Sequence, residues 1–311
     1  MSIVSVIGAS GRQGLAQVKQ LLKSGYKVRC MSRDINSNMA GLASNVDVCF
    51  MDLDDEISIV KALEGSDFVF YNQPLQMNHQ RVDLAERVGL ACKKANIRQL
   101  VWNTSSWIPE RPGDPFTYAN NTRAINKLWA TGTPTTVFGS VLFMDNLLTD
   151  WARPTLINEH KYIYPHAPHI EANWISLDDV AKVMVASLER ADMIGSWMNI
   201  GGPEKLTGPM VTKILSEVFG FKLEYAPCST EEFAEILAEA VGYTKEPQAR
   251  KLFLNYFSEF YNYNNTAPTK PFYVNTNYML ERFPEVKLET MREWATRQDW
   301  TDDGSDRPSG G

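Results

Sequence analysis

The 311-residue sequence predicts an α/β protein built on a doubly wound parallel sheet, with a smaller α+β lobe toward the C-terminus, and three observations carry that prediction. Stretches rich in β-formers alternate with stretches of helical period at roughly 20 to 30 residues, the interval that strand, crossover helix and next strand require. A turn holding Gly8, Gly11 and Gly14 follows the first of those strands. Polar side chains collect where successive strands end, on the rim where ligands bind such sheets.

The elements follow in order. IVSVI is a run of β-formers, and behind the glycine turn Leu15, Val18, Leu21 and Leu22 fall on one helical face. At such a helix start the first N–H groups lack intrahelical partners and the dipole adds partial positive charge, so a phosphate fits there. Glycine allows a pyrophosphate to approach those donors closely. GASGRQG has the spacing G-x-x-G-x-x-G rather than the G-x-G-x-x-G of many dehydrogenases; its position between a strand and a helix, with YKVRCMSRD as a second strand, favours a dinucleotide site over a structural turn.

NVDVCFMDL reads as the third strand, ISIVKALEG as a helix, DFVFYNQP as the fourth strand and RVDLAERVGLACKKAN as a helix with Val82, Ala85, Val88 and Cys92 inward. QLVWNTSS, a helix near TRAINKLWATG and the strand TPTTVFGSVLF complete the alternation. SLDDVAKVMVASLER is a helix opened by Ser176 with Asp179 at capping-box spacing, and WMNIGGP returns a strand to the main sheet. Two more helices, PMVTKILSEVFG and STEEFAEILAEAVGY, flank the strand LEYAP, with Ser229 and Glu232 again at capping spacing. The division expected is a core over 1–153, a substrate lobe from 154–174 and 203–303, a helix and strand over 175–202 that return to the core, and a disordered tail over 304–311.

Composition excludes several classes. Hydrophobic residues make up 44%, enough for a sizeable core, and a net charge of −6 with pI near 5.4 leaves no basic footprint for nucleic acid. No leader-like start and no run approaching about 18 apolar residues is seen, so no membrane partner and a cytoplasmic location are expected. Cys30, Cys49, Cys92 and Cys228 form no C-x-x-C pair and read as small buried hydrophobes. His166 and His169 lie in a Pro-broken loop without an H-E-x-x-H helix, so no metal is expected.

The expected cofactor-binding set is Gly8, Ser10, Gly11, Arg12, Gln13 and Gly14 in the turn, Arg33 after the second strand, Asp52 and Leu53 after the third, and Asn72 and Gln73 after the fourth. Asp34 stands about 20 residues past the glycines, where an acid would bind the ribose hydroxyls of NAD(H). Ser32 and Arg33 reach the strand end first and Arg12 adds a second guanidinium, which favours NADP(H). Asp52 either contacts the adenine or starts the next helix.

With these residues in place the chain resembles the NmrA-like group of atypical short-chain dehydrogenase/reductases. GASGRQG, VRCMSRD, MDLDD, NQP and TGTPTTVFGSVLFMDNLL carry the resemblance, which covers most of 1–202 and the remainder more loosely. It implies a Rossmann-type core, NADP(H) binding, and either reductase activity or a non-catalytic redox-sensing role; specialised metabolism is the setting it suggests. Typical short-chain reductases use a Tyr-x-x-x-Lys pair with a serine after the fifth strand. Here Tyr118 follows Ser105 and Ser106 at a compatible spacing, but its i+4 partner is Thr122, and a register on TGTP puts the lysine position at Asn121. Both registers lack the lysine. An unassisted tyrosine keeps a pKa near 10, the wrong state for a base and the right one for a proton donor, so reduction is the direction favoured.

Tyr118, Ser105 and Asn121 are therefore the catalytic candidates. The aromatic run LFLNYFSEFYNYNN reads either as an amphipathic helix on the core or as a pocket wall in which Phe257 and Tyr261 join Trp107, Phe143, Tyr164 and Trp174 around a flat apolar substrate. The function expected is an NADP(H)-dependent reductase of a small aromatic or apolar metabolite, with a small-molecule substrate as its partner. The alternatives are a non-catalytic NADP(H)-binding sensor, which alone would need a protein partner, and a non-redox isomerase or cyclase on the same fold.

Overall fold

The computed structural model describes residues 1–35, 45–74, 80–109, 116–242 and 246–301; the tail over 304–311 lies outside the described residues. Its strands are β1 (Ile3–Ile7), β2 (Lys27–Ser32), β3 (Asp47–Phe50), β4 (Phe68–Asn72), β5 (Gln99–Asn103), β6 (Thr135–Ser140), β7 (Leu142–Phe143), β8 (Lys161–Tyr164), β9 (Trp174–Ile175), β10 (Ser196–Ile200) and β11 (Glu224–Pro227). Its helices are α1 (Arg12–Lys23), α2 (Glu56–Leu63), α3 (Gln80–Lys94), α4 (Phe116–Ala130), α5 (Arg153–Asn158), α6 (Leu177–Ala186), α7 (Gly208–Phe219), α8 (Thr230–Ala240), α9 (Pro247–Thr266), α10 (Thr276–Arg282) and α11 (Met291–Thr296).

Seven strands form one parallel sheet in the order β3-β2-β1-β4-β5-β6-β10. The order reverses between β1 and β4, and on such sheets the carboxyl ends of the strands at the reversal form the ligand crevice. β4 and β5 are buried almost throughout, and Phe68, Val69, Phe70 and Tyr71 form a continuous apolar run as expected for a sheet covered on both faces. α1 and α6 cover one face through Val18, Leu21, Val180 and Met184. α2, α3 and α4 cover the other through Ile59, Val88 and Leu128.

The lobe gathers around a second, aromatic cluster that includes Tyr162, Tyr164, Trp174, Phe233, Phe253 and Trp294. β8 pairs with β11 and β7 with β9, both in parallel. α10 turns back to the core, where its Met279 and the following Phe283 pack with the cluster under α1 and α6. Among the described residues no helix is long and apolar enough to cross a membrane.

Local signals explain most boundaries. Ser176 Oγ accepts from Asp179 N at 3.1 Å and Ser229 Oγ from Glu232 N at 3.0 Å, as their spacing predicts. The Asp179 carboxylate serves Lys182 Nζ and Glu289 N instead of closing a reciprocal box. α4 begins at Phe116, earlier than the apolar periodicity suggests, because Asn120 and Asn121 turn inward and a hydrophobic count does not register them. Cys30, Cys49 and Cys92 lie in β2, β3 and α3 as predicted, and burial pushes the Cys30 thiol up to about 12.

Candidate cofactor and substrate site

The crevice is lined first by the glycine turn. Gly8 has φ +75°, a left-handed conformation that suits glycine, and the Gly11 N–H closes the turn on the Gly8 carbonyl at 3.2 Å. α1 starts on Gly11, whose position provides no side-chain cap to the first turn. Gly14 packs against the turn itself: a Cβ there would lie 2.2 Å from the Gly8 carbonyl oxygen and 2.6 Å from Ala9 Cα. Ser10 is exposed at the turn. These features fit a dinucleotide pyrophosphate, because the turn is built of glycines and the helix begins without a capping side chain.

A relay of amides and hydroxyls runs from this turn across the neighbouring strand ends. Ser140 Oγ donates to Asn103 Oδ1 at 2.6 Å, and Ser105 N donates to the same oxygen at 3.2 Å. That orients the Asn103 amide so that its Nδ2 donates to Gln13 Oε1 at 2.7 Å, and Gln13 Nε2 in turn donates to Ser105 Oγ at 2.8 Å. The side-chain bonds run from Ser140 through Asn103 and Gln13 to Ser105, whose Oγ accepts while its backbone N–H donates back to Asn103, and the hydroxyl proton is left to give. Ser105 itself has φ +60°, a conformation that costs a non-glycine residue about 1–3 kcal/mol.

The other strand ends divide into structural and open groups. Asn72 and Gln17 exchange amide hydrogen bonds at 2.7 and 2.8 Å, and Asn72 Nδ2 also reaches the Ile7 carbonyl at 3.0 Å, so Asn72 ties β4 to α1 and β1. Gln73 Nε2 donates to the Arg81 carbonyl, while its Oε1 is buried without a hydrogen-bond partner. Arg33 is exposed beyond the end of β2. Asp52 Oδ1 accepts from Asp54 N, the Leu53 carbonyl accepts from Arg87, and the cap of α2 is Asp55 rather than Asp52.

Arg12 reaches the segment after β7. Its Nη1 donates at 2.8 Å to the carbonyl of Asp145, in the 3-10 turn after β7, because α1 packs against α6 on that side. Asp145 Oδ2 accepts from Leu177 N at the start of α6 at 2.9 Å. Burial pushes the Asp145 carboxyl up to about 6, against the pull of the Leu177 N–H and Arg12. A carboxyl raised in the fold stabilises it fully only below its unfolded pKa, and this contribution disappears as pH rises through about 6. Asp145→Asn should therefore be more stable than the parent near pH 7, by at most about 3 kcal/mol, with the gain shrinking toward about pH 4 in urea melts.

The remaining candidates lie deeper. Tyr118 is fully buried, donates its hydroxyl to Asn264 Oδ1 of α9 at 2.6 Å, and packs edge-on to Trp107 with ring centroids 5.3 Å apart. Asn121 Nδ2 holds Ser106 Oγ at 2.8 Å and the Trp107 carbonyl at 3.1 Å, fixing the loop after β5. Tyr164 contacts Trp174 and Tyr261 at 5.8 and 6.1 Å, and Phe257 packs on Phe253 and Phe260. Phe143 belongs to the cluster under α1 and α6. The aromatic residues thus meet mainly one another, with His166 among them and pushed down to about 3 by burial. Among the described residues no group of three His, Cys, Asp or Glu side chains gathers in metal-binding range.

Sequence reading named Gln13 and Ser105 separately but missed Asn103 and Ser140 as the groups that join them. Both stand at strand ends, which is the one signal available; their adjacency belongs to the order of β5 and β6.

A sheet of this order with an open glycine turn at its reversal point defines a Rossmann-type α/β protein. Residues 1–298 match the model of the NmrA-like family, and the protein belongs to that family. An NAD(P)H azoreductase of Xenophilus azovorans is 25% identical over 234 residues, 74% of this chain and 78% of its own. The triphenylmethane reductase of Citrobacter sp., solved with NADP(H), superposes with a TM-score of 0.72 at 18% identity, covering 95% of this chain and 99% of that one. NmrA, a negative transcriptional regulator solved with NAD, superposes with a TM-score of 0.75 at 15% identity over 96% of this chain and 99% of that one.

Proposed function

We propose that the protein is an NADP(H)-dependent reductase of a small, flat, aromatic or otherwise apolar substrate. The observation that carries this reading is the contact between Gln13 and Ser105: an oriented hydroxyl stands one side chain away from the uncapped start of α1. Two of the similar proteins are reductases by name, an NAD(P)H azoreductase and a triphenylmethane reductase, which supports the direction of the chemistry.

When bound, a reduced nicotinamide supplies a hydride. The first N–H groups of α1 hold the pyrophosphate and the bare Gly8–Gly14 turn lets it approach. Arg33 pairs with the 2′-phosphate. Ser105 donates a hydrogen bond to the substrate atom that gains negative charge, and the relay through Gln13 and Asn103 keeps that proton aimed outward. Tyr118 takes no part, since its hydroxyl is committed to Asn264.

A sensor reading has two observations in its favour: the usual lysine is missing and the tyrosine is held in the interior by Asn264. The deciding experiment follows NADPH absorbance with a quinone, an azo dye and a triarylmethane dye as acceptors. A reductase consumes NADPH with at least one of them; a sensor consumes it with none and still separates the oxidised from the reduced dinucleotide in binding. Consumption of an acceptor without loss of NADPH would instead favour an isomerase or cyclase. In the same preparation Arg33→Gln should weaken NADPH about ten- to a hundredfold and leave NADH unchanged, as expected for loss of a charge-assisted pair.

A further inference from the structure

Arg81 lies in the first turn of α3, where the helix dipole is positive and a cation is disfavoured. No ion pair to an acidic side chain accompanies it among the described residues. Its Nη2 donates to the carbonyl of Thr104, the residue before Ser105, at 2.9 Å, and its guanidinium stands 5.9 Å from the Trp102 ring centroid. Its Nε is buried and has no hydrogen-bond partner. Burial pushes the guanidinium below the ordinary arginine range, with Tyr256 of α9 acting against that fall.

Arg81 is half-buried, but a buried N–H is ordinarily hydrogen-bonded, and arginine offers donors in a planar fork that suits a carboxylate. Here one Nη2 donor is used and Nε–H is idle, at a seam where the end of β5, the start of α3 and Tyr256 of the lobe meet. We propose that Arg81 receives an anionic group, a carboxylate or sulfonate, carried by the substrate, so that the substrate class is an aromatic acid. This rests on the reductase reading and narrows it. A phosphate of the dinucleotide is the other source of such an anion; the uncapped start of α1 and Arg33 already provide for those phosphates, whereas Arg81 is anchored to the carbonyl of Thr104, the residue before Ser105.

The test is calorimetric titration of the full chain with naphthoate and with naphthamide, matched in shape and differing in charge, with and without NADP+, alongside a separate NADPH titration. Naphthoate should bind about tenfold or more tighter than naphthamide. Arg81→Gln should erase that preference and Arg81→Lys should keep part of it, while the NADPH Kd stays within about twofold in both. Equal affinities in the parent protein, or a preference that survives Arg81→Gln, would overturn the proposal. So would an NADPH Kd that weakens in the variants without any acid preference, which would assign Arg81 to a cofactor phosphate. Should Arg81→Gln fail to fold, the parent ratio and Arg81→Lys still decide. Failure of the reductase reading shows separately, as an absence of NADPH binding or turnover while the acid preference persists.

Discussion

Gly14→Ala should abolish dinucleotide binding and destabilise the fold by several kcal/mol. The added methyl would sit 2.2 Å from the Gly8 carbonyl oxygen, and that oxygen is backbone held in turn by the Gly11 N–H. No rotamer change relieves such a contact, so α1 must move away from the turn or the turn must open. Overpacking of this kind costs about 1–3 kcal/mol where flexible side chains yield, and more where only backbone can. Gly25→Ala is the control: Gly25 has φ +84° but nothing within 4 Å of a new Cβ, so it should cost only about 1–2 kcal/mol and leave binding intact. Melting curves with and without NADPH distinguish the two variants. Equal NADPH shifts in both would remove Gly14 from the site.

Ser105→Ala should lower kcat about a hundredfold with little change in the Kd for NADPH. Removing a preorganised donor from developing charge has effects of about 10² to 10³ in comparable sites. The variant also leaves the Gln13 amide without its acceptor, which should add a modest loss of stability. Tyr118→Phe supplies the contrast. It removes the hydrogen bond to buried Asn264 and should cost about 1–3 kcal/mol of stability while kcat stays within about twofold. A hundredfold loss of kcat in Tyr118→Phe with full activity in Ser105→Ala would reverse the roles of the two residues.

Much of the frame is legible in the sequence because it depends on local patterns. Alternating β-rich and helical periods predict the parallel sheet, and the glycine turn and the caps at Ser176 and Ser229 stand where their spacing puts them. The site is less legible because its contacts join distant elements. Arg12 reads as a second guanidinium for the 2′-phosphate, and its hydrogen bond to the Asp145 carbonyl shows only in the fold, where α1 packs on α6. Asn72 reads as a cofactor residue, yet it exchanges both amide bonds with Gln17. Arg81 falls in an ordinary amphipathic stretch, and only the fold shows a half-buried cation with a buried, unpartnered Nε beside the end of β5. The left-handed backbone of Ser105 leaves no mark on composition or periodicity.

The most direct test of dinucleotide binding is thermal unfolding with NADPH, NADP+, NADH and NAD+ in parallel. A ligand at a hundred times its Kd adds about 2.7 kcal/mol, which raises the midpoint of a chain this long by about 4 °C. The predicted result is a rise with the phosphorylated pair, largest for NADPH and reduced in Arg33→Gln. No rise with any of the four dinucleotides would contradict the cofactor site and leave the Gly8–Gly14 turn as a structural feature alone.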